Sequence, residues 1–388
     1  MIDPVKMVAA RPKQTGNDNM KATTRVLSFL SIALIFLPTT FAQRDSPAAQ
    51  AAKAMFRQRD ADRDGKLTRT EFPQQNARLF DQIDKDKDGA ISLQEDIDFR
   101  LARPRRQREQ PQGLPEGVTL HRDLVYAQVG QRNLPLDLYL PKSDKPLPVV
   151  VWIHGGGWRT GSKGNAGPAR PLIGQGYAVV DVEYRLSGEA IFPAQIQDCK
   201  AAIRWLRANA QQYNLDGDHI GVWGSSAGGH LVALLGTSAD VAEFDTAAHA
   251  EFSSRVQAVC DWFGPTDLLL MNKQAIPGSR LDHDAADSPE SQLVGGPLQQ
   301  PPYNALAKQA NPINYVSDDD PPFLIVHGDN DLLVSYRQSE LLHAALTKAG
   351  VASTLQIEPG AGHGFSGGKS SKQELVQQAT DFFDKHLK

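Results

Sequence analysis

The 388-residue sequence has no surplus of positive charge, only two cysteines, and beyond its first 42 residues no apolar run long enough to cross a bilayer. Its 41 Lys and Arg stand against 45 Asp and Glu, which leaves none of the basic excess that a nucleic-acid-binding chain needs. The two cysteines, Cys199 in an expected helix and Cys260 at the end of an expected strand, allow one bridge at most. An oxidising compartment would permit it, but buried free thiols fit the same apolar surroundings, so both states stay open.

What is present begins with an export pattern. The first 19 residues carry no hydrophobic period, but from Met20 the sequence reads MKATTRVLSFLSIALIFLPTTFAQ. Lys21 and Arg25 precede an apolar run from Val26 to Leu37, and Thr40-Phe41-Ala42 offers a small-residue cleavage site. A signal peptide from Met20, preceded by an upstream extension, is expected over 1–42, with the mature chain starting at Gln43 in a secreted or periplasmic protein. No Cys follows the apolar run to take a lipid, and no stable membrane span is expected.

Next come two acidic loops. Asp60, Asp62, Asp64, Thr68 and Glu71 occupy positions 1, 3, 5, 9 and 12 of the first, with Gly65 at position 6 and the Lys66 carbonyl at position 7. Asp84, Asp86, Asp88, Ser92 and Glu95, with Gly89 and the Ala90 carbonyl, repeat it. Calcium takes six to eight oxygens, and each loop supplies them from three Asp, one carbonyl, the position 9 side chain or its water, and a bidentate Glu, around a glycine that makes the sharp turn. Both loops resemble the EF-hand family, which implies two structural Ca2+ sites joined by a short strand contact at Leu67 and Ile91. Only Phe72 to Ile83 separates them, room for one shared helix of roughly 18 Å. Phe56, Phe72, Leu79, Phe80 and Ile83 are the expected core of this small all-α domain over 43–103. A module this small often needs its metal to fold, while attachment to a partner is the other role open to it.

Residues 104–117, PRRQREQPQGLPEG, read as a linker. From Val118 short β-rich runs alternate with helical stretches: 148–154, 177–184, a helix over 193–213, and a strand over 219–223. That alternation means a mainly parallel sheet covered on both faces, an α/β architecture over 118–388. Residues 119–129 and 134–139 alternate with period two and are expected as an antiparallel edge.

The strand His219 to Trp223 runs into Gly224-Ser225-Ser226-Ala227-Gly228-Gly229 and then a helical run. This is G-x-S-x-G in its strand-turn-helix context, with Ser226 in the nucleophile position and small neighbours where larger side chains would collide. Upstream, His154-Gly155-Gly156-Gly157-Trp158 follows the strand PVVVWI. Amides of Gly156 and Gly157, joined by that of Ala227, can meet an oxyanion. For the base, the chain order Ser, acid, His leaves His343, His363 and His386. His343 lies mid-helix and His386 is near the terminus, so His363, in a glycine loop after STLQIE, is the candidate. Asp329 and Asp331 both follow the strand at Phe323, and spacing does not choose between them.

HGGGW at His154, FPAQIQDCKAAIRWLRANA from Phe192, GSSAGG at Gly224, HGDND at His327 and GAGHGF at Gly360 together make residues 119–388 resemble bacterial carboxylesterases of the α/β-hydrolase fold. These are the hormone-sensitive-lipase-like enzymes and, more closely, acetyl and feruloyl esterases acting on polysaccharide. In such esterases His-Gly-x-x-Asp ends on the catalytic acid, which maps onto Asp331. The resemblance implies hydrolysis of short-acyl or feruloyl esters, on small esters or acylated polysaccharide, through an acyl-enzyme and without a catalytic cofactor. Three alternatives remain: a general small-ester carboxylesterase or lipase, a serine peptidase, for which no propeller-sized gating domain is seen, and a calcium-dependent binding or tethering protein on a hydrolase scaffold. Residues of about 268–318, rich in Pro, Gly and Asp, read as a lid-like insertion, and Trp158 and Trp262 as either site lining or core.

Overall fold

The computed structural model describes residues 56, 60, 64–71, 77–102, 114–279 and 281–388, the side chains of 77–79 and 100–102 excepted. The export signal, Asp62, Phe72 and most of the 104–117 linker lie outside the described residues, as does the side chain of Leu79. The chain divides into two compact units, Met1–Gln107 and Arg108–Lys388.

In the first unit, β1 (Lys66–Thr68) pairs antiparallel with β2 (Ala90–Ser92), Leu67 standing opposite Ile91. Helix α1 (Ala77–Ile83) lies between the loops and α2 (Leu93–Ala102) follows the second. Phe56, Leu67, Phe80, Ile83 and Ile91 are buried together, with Leu93 and Phe99 packed against them. The position 8 residues thus serve as both strand partners and core.

The second unit is built on an eight-stranded sheet. Its strands are β3 (Val118–Val129), β4 (Arg132–Pro141), β5 (Leu147–Ile153), β6 (Ala178–Val182), β7 (Leu215–Ser225), β8 (Ala258–Trp262), β9 (Phe323–Gly328) and β10 (Ser353–Glu358). They lie in the order β10-β9-β8-β7-β5-β6-β4-β3. β3 and β4 pair antiparallel at one edge, β4 is antiparallel to β6, and the remaining neighbours are parallel. Along β5, Val149, Val151 and Ile153 enter one core while Val150 and Trp152 enter the other. Alternation through the pleat therefore explains an unbroken apolar strand: both of its faces are covered.

Helices α3 (Ala194–Ala208) and α4 (Ala227–Thr237) bury their apolar residues on the first face. On the second, the C-terminal α8 (Lys372–Leu387) packs Leu375, Ala379, Phe383 and Leu387. Between β8 and β9 lie α5 (Pro289–Val294) and α6 (Tyr303–Gln309), and between β9 and β10 lies α7 (Arg337–Lys348). The segment about 268–318 is fastened to the core through buried Leu268, Leu293, Val294, Leu298, Ala307 and Ala310.

Cys199 and Cys260 are both free and buried, and they belong to different cores on opposite faces of the sheet. Trp158 and Trp262 are core residues, 1% and 2% exposed; Trp158 sits edge-on to His230, and Trp262 packs between Trp223 and Phe365.

Candidate active site

In an open α/β sheet, functional groups gather beyond the carboxyl ends of the parallel strands. Here Ser226 follows β7, the glycine loop from His154 follows β5, Asp331 follows β9 and His363 follows β10. β5 and β7 are neighbours, with Ile153 opposite Gly224, so the glycine loop and the serine turn emerge side by side.

The serine turn is tight because its glycines are pressed against backbone. A Cβ on Gly224 would lie 2.2 Å from the Gly228 carbonyl oxygen, and one on Gly228 would lie 2.1 Å from that of Ile153. Ser226 itself is held at φ 55°, ψ −122°, a strained conformation for a residue with a side chain. Its amide donates to the Trp262 carbonyl at 2.9 Å and its carbonyl accepts from His230 at 3.0 Å, which ties the turn to β8 and α4. The ring of His230 is buried against the Ala310 carbonyl, and burial pushes it down to about 4, so it is a neutral core residue.

The Oγ of Ser226 lies 3.1 Å from Nε2 of His363, and Nδ1 of the same ring lies 2.7 Å from Oδ2 of Asp331. A carboxylate only accepts, so Nδ1 carries the hydrogen and Nε2 presents its lone pair to the hydroxyl. Asp331 is 1% exposed. Burial pushes its carboxyl up, but hydrogen bonds from His327 and His363 outweigh that and hold it well below the usual carboxylate range. Its Oδ1 also accepts the amides of Leu333 and Val334 at 2.8 and 2.9 Å. The acid is therefore ionised and fixed from four directions.

Asp329 is exposed and accepts from the Gly360 amide at 2.6 Å, bracing one loop against the next. His343 bonds Ser353 from within α7, and His386 packs on Phe382 in α8. Two residues that sequence reasoning passed over complete the surroundings. Phe263, with its backbone at φ 46°, sets its ring edge-on to His363 at 4.8 Å between centroids. His327 places Nε2 3.4 Å from Oδ2 of Asp331 while bonding the Val334 carbonyl and the Ser339 hydroxyl. The HGDND run contains His327 four residues before Asp331; no sequence signal marks Phe263.

The glycine loop is folded against the serine turn: a Cβ on Gly155 would meet the Ser225 carbonyl at 2.6 Å. Gly156 and Gly157 take φ values of 114° and 59°, and the Gly156 carbonyl accepts the amides of Arg159 and Thr160. Ala227 opens α4, where the first amides of a helix have no intrahelical partner and the dipole favours negative charge. Pro289 of α5 packs on this loop, its Cβ 3.1 Å from where one on Gly157 would stand.

Both acidic loops of the first unit share one internal pattern. Oδ2 of Asp60 accepts the Gly65 amide at 3.0 Å and Oδ2 of Asp84 that of Gly89 at 3.2 Å, while Oδ1 of each is buried without a hydrogen-bond partner. Lone carboxylate oxygens kept from water fit a cation. Carboxylate oxygens of Asp84, Asp86 and Asp88 gather within 4.8 Å of one another. Asp64 and Asp88 accept the position 7 amides of Lys66 and Ala90. Glu71 and Glu95 turn back onto Thr68 and Ser92, and Oε1 of Glu95 also accepts the amides of Lys85 and Asp86.

Comparison with known proteins agrees with this organisation. Residues 136–346 match the BD-FAE family, and residues 52–74 and 76–95 match the EF hand. Over 67% of its length the chain is 34% identical to the esterase LipQ of Mycobacterium tuberculosis. It spans 61% of that relative, and 54% and 49% of two other esterases of the same organism. Among solved structures, a truncated carbohydrate esterase from gut microbiota is 34% identical with a TM-score of 0.60, covering 69% of this chain and 95% of that one. An acetyl ester-xyloside bifunctional hydrolase from Caldicellulosiruptor lactoaceticus is 25% identical with a TM-score of 0.56, covering 68% and 95%.

Proposed function

The chain belongs to the BD-FAE family of α/β-hydrolase esterases, carrying an EF-hand segment ahead of its hydrolase domain, and from that premise we propose that it is an exported serine carboxylesterase acting on short-acyl or feruloyl esters of polysaccharide. One observation carries the catalytic part: a serine in a strained turn, 3.1 Å from a histidine nitrogen whose other nitrogen is fixed 2.7 Å from an ionised, buried carboxylate.

In this mechanism His363 takes the Ser226 proton as Oγ attacks the ester carbonyl. Asp331 holds the ring in the required tautomer and stabilises the imidazolium that forms. Amides of Gly156, Gly157 and Ala227 receive the oxyanion, worth about 3–4 kcal/mol for a well-placed donor. His363 then protonates the leaving alcohol, and water releases the acyl group from Ser226.

The polysaccharide part is supported by the similarity to a carbohydrate esterase and to an acetyl ester-xyloside hydrolase. Export is supported by Lys21 and Arg25 ahead of the apolar run Val26 to Leu37. In the EF-hand unit, Asp60, Asp62, Asp64, Thr68 and Glu71 with the Lys66 carbonyl, and Asp84, Asp86, Asp88, Ser92 and Glu95 with the Ala90 carbonyl, would hold calcium. The ion would neutralise the crowded carboxylates and so favour the folded module; attachment to a partner is the other role it could serve.

The test is hydrolysis of p-nitrophenyl acetate, acetylated xylan and methyl ferulate by the mature protein and its Ser226→Ala variant, with calcium present. Serine-dependent release from xylan or ferulate is expected. Release from the small acetate alone would reduce the assignment to a general carboxylesterase, and no release at all would overturn it.

A further inference from the structure

We propose that Lys66 is a built-in competitor for the second calcium loop: its ammonium holds an oxygen of Asp88 that the loop needs for its ion, so that filling the second site requires this pair to break. The inference rests on the reading of both loops as calcium sites.

Asp88 stands at position 5 of the second loop. Its Oδ1 accepts the Ala90 amide at 2.9 Å, an internal bond of the loop, which leaves Oδ2 as the oxygen with no partner inside the loop. Oδ2 lies 2.9 Å from Nζ of Lys66, a residue of the first loop. At position 7 a residue contributes its carbonyl to calcium, so the lysine side chain is free to act elsewhere. Antiparallel pairing of β1 with β2 sets Lys66 opposite Ser92 and brings its side chain within reach of the neighbouring loop.

The arrangement is one-sided. Position 7 of the second loop is Ala90, which has no side chain that could reach back to Asp64. Carboxylate oxygens of Asp84, Asp86 and Asp88 lie within 4.8 Å of one another, and like charges so close repel. The ammonium relieves that repulsion, as a bound calcium would, and the two cations compete for the same carboxylate. With the two side chains 50% and 42% exposed, solvent screens the pair, and its removal is expected to tighten the second site by about two- to fivefold.

The experiment is calorimetric calcium titration of the full chain. With Asp60→Ala present, the second loop reports alone; adding Lys66→Gln should tighten it by that factor. With Asp84→Ala present, the first loop reports alone, and Lys66→Gln should tighten it less than the second, because the Lys66 ammonium acts on Asp64 only through space and holds none of its oxygens in a hydrogen bond as it does Asp88. Equal tightening of both loops would reduce the effect to net charge and overturn the proposal, as would no tightening of the second. Should a single-loop variant not fold, the two-site isotherms of the wild type and of Lys66→Gln carry the comparison: tightening of one site supports the proposal, and coincident curves refute it. A wild-type chain that takes up no calcium would refute the calcium reading and the inference together, whereas uptake at both loops with Lys66→Gln silent refutes the inference alone.

Discussion

Oδ2 of Asp331 lies 2.7 Å from Nδ1 of His363, whereas Asp329, two residues earlier, spends its carboxylate on the Gly360 amide. The two acids therefore have different consequences when neutralised. Asp331→Asn keeps the shape but frees the ring to take the wrong tautomer, and kcat toward p-nitrophenyl acetate is expected to fall by about 10³–10⁴-fold with little change in KM. Asp329→Asn should stay within a few-fold of wild type. A large loss at Asp329 with activity preserved at Asp331 would reverse the assignment.

Gly228 has no room for a methyl group. Its Cβ would stand 2.1 Å from the Ile153 carbonyl oxygen and 2.7 Å from that of His154, backbone atoms of the strand and loop that lead to the proposed oxyanion amides. Gly228→Ala must push the serine turn away from the glycine loop, at a cost of about 3 kcal/mol or more. Chemical denaturation should register that loss, and fluorophosphonate labelling of whatever folds should be slowed. A variant as stable and as reactive as wild type would show that the two loops are not in contact as described.

Much of this site was legible in sequence because its parts are local. G-x-S-x-G and HGGGW each encode a backbone turn within a few residues, and STLQIE coincides with β10, where Leu355 and Ile357 alternate with Thr354 and Gln356. The acid was less legible: Asp329 and Asp331 share a turn, and what separates them is contact with a residue 32 positions away. His327 and Phe263 were hidden for the same reason, since Ser339, Val334 and His363 become their neighbours only in the folded sheet. The helix expected over 193–213 breaks at Asn209, whose side chain donates to the Trp205 carbonyl. No proline or glycine announces that break.

Asp261 supplies a pH dependence separate from catalysis. It is fully buried beneath the serine turn; Oδ1 accepts the Gly264 amide at 2.9 Å, and Oδ2 has no partner. Burial pushes its carboxyl up to about 7. An unfolded chain ionises such a group near pH 4, so the folded protein binds the proton more tightly. Its contribution is full below about pH 4 and is lost as pH rises through about 7, a change of order 4 kcal/mol at about 1.4 kcal/mol per unit. Asp261→Asn keeps an acceptor for Gly264 and cannot ionise. The variant should therefore gain stability relative to wild type between pH 5 and pH 8 in urea unfolding; a difference that is the same at both pH values would remove Asp261 as the source.

Calcium and catalysis are expected to separate. No group of the proposed mechanism comes from the EF-hand unit, where Asp84, Asp86 and Asp88 crowd the second loop and Asp60 and Asp84 each keep a buried oxygen that lacks a partner. Removing calcium restores the repulsion and the desolvated charge, so the unit should unfold at lower temperature in EDTA, and calorimetry of the full chain should show that transition move down and return on adding calcium. Fluorophosphonate labelling of Ser226 measured within minutes of chelation should proceed at the untreated rate, because Asp331, His363 and the glycine loop are held by β5, β7, β9 and β10. Immediate loss of labelling, reversed by calcium, would mean that the ion acts on the active site itself.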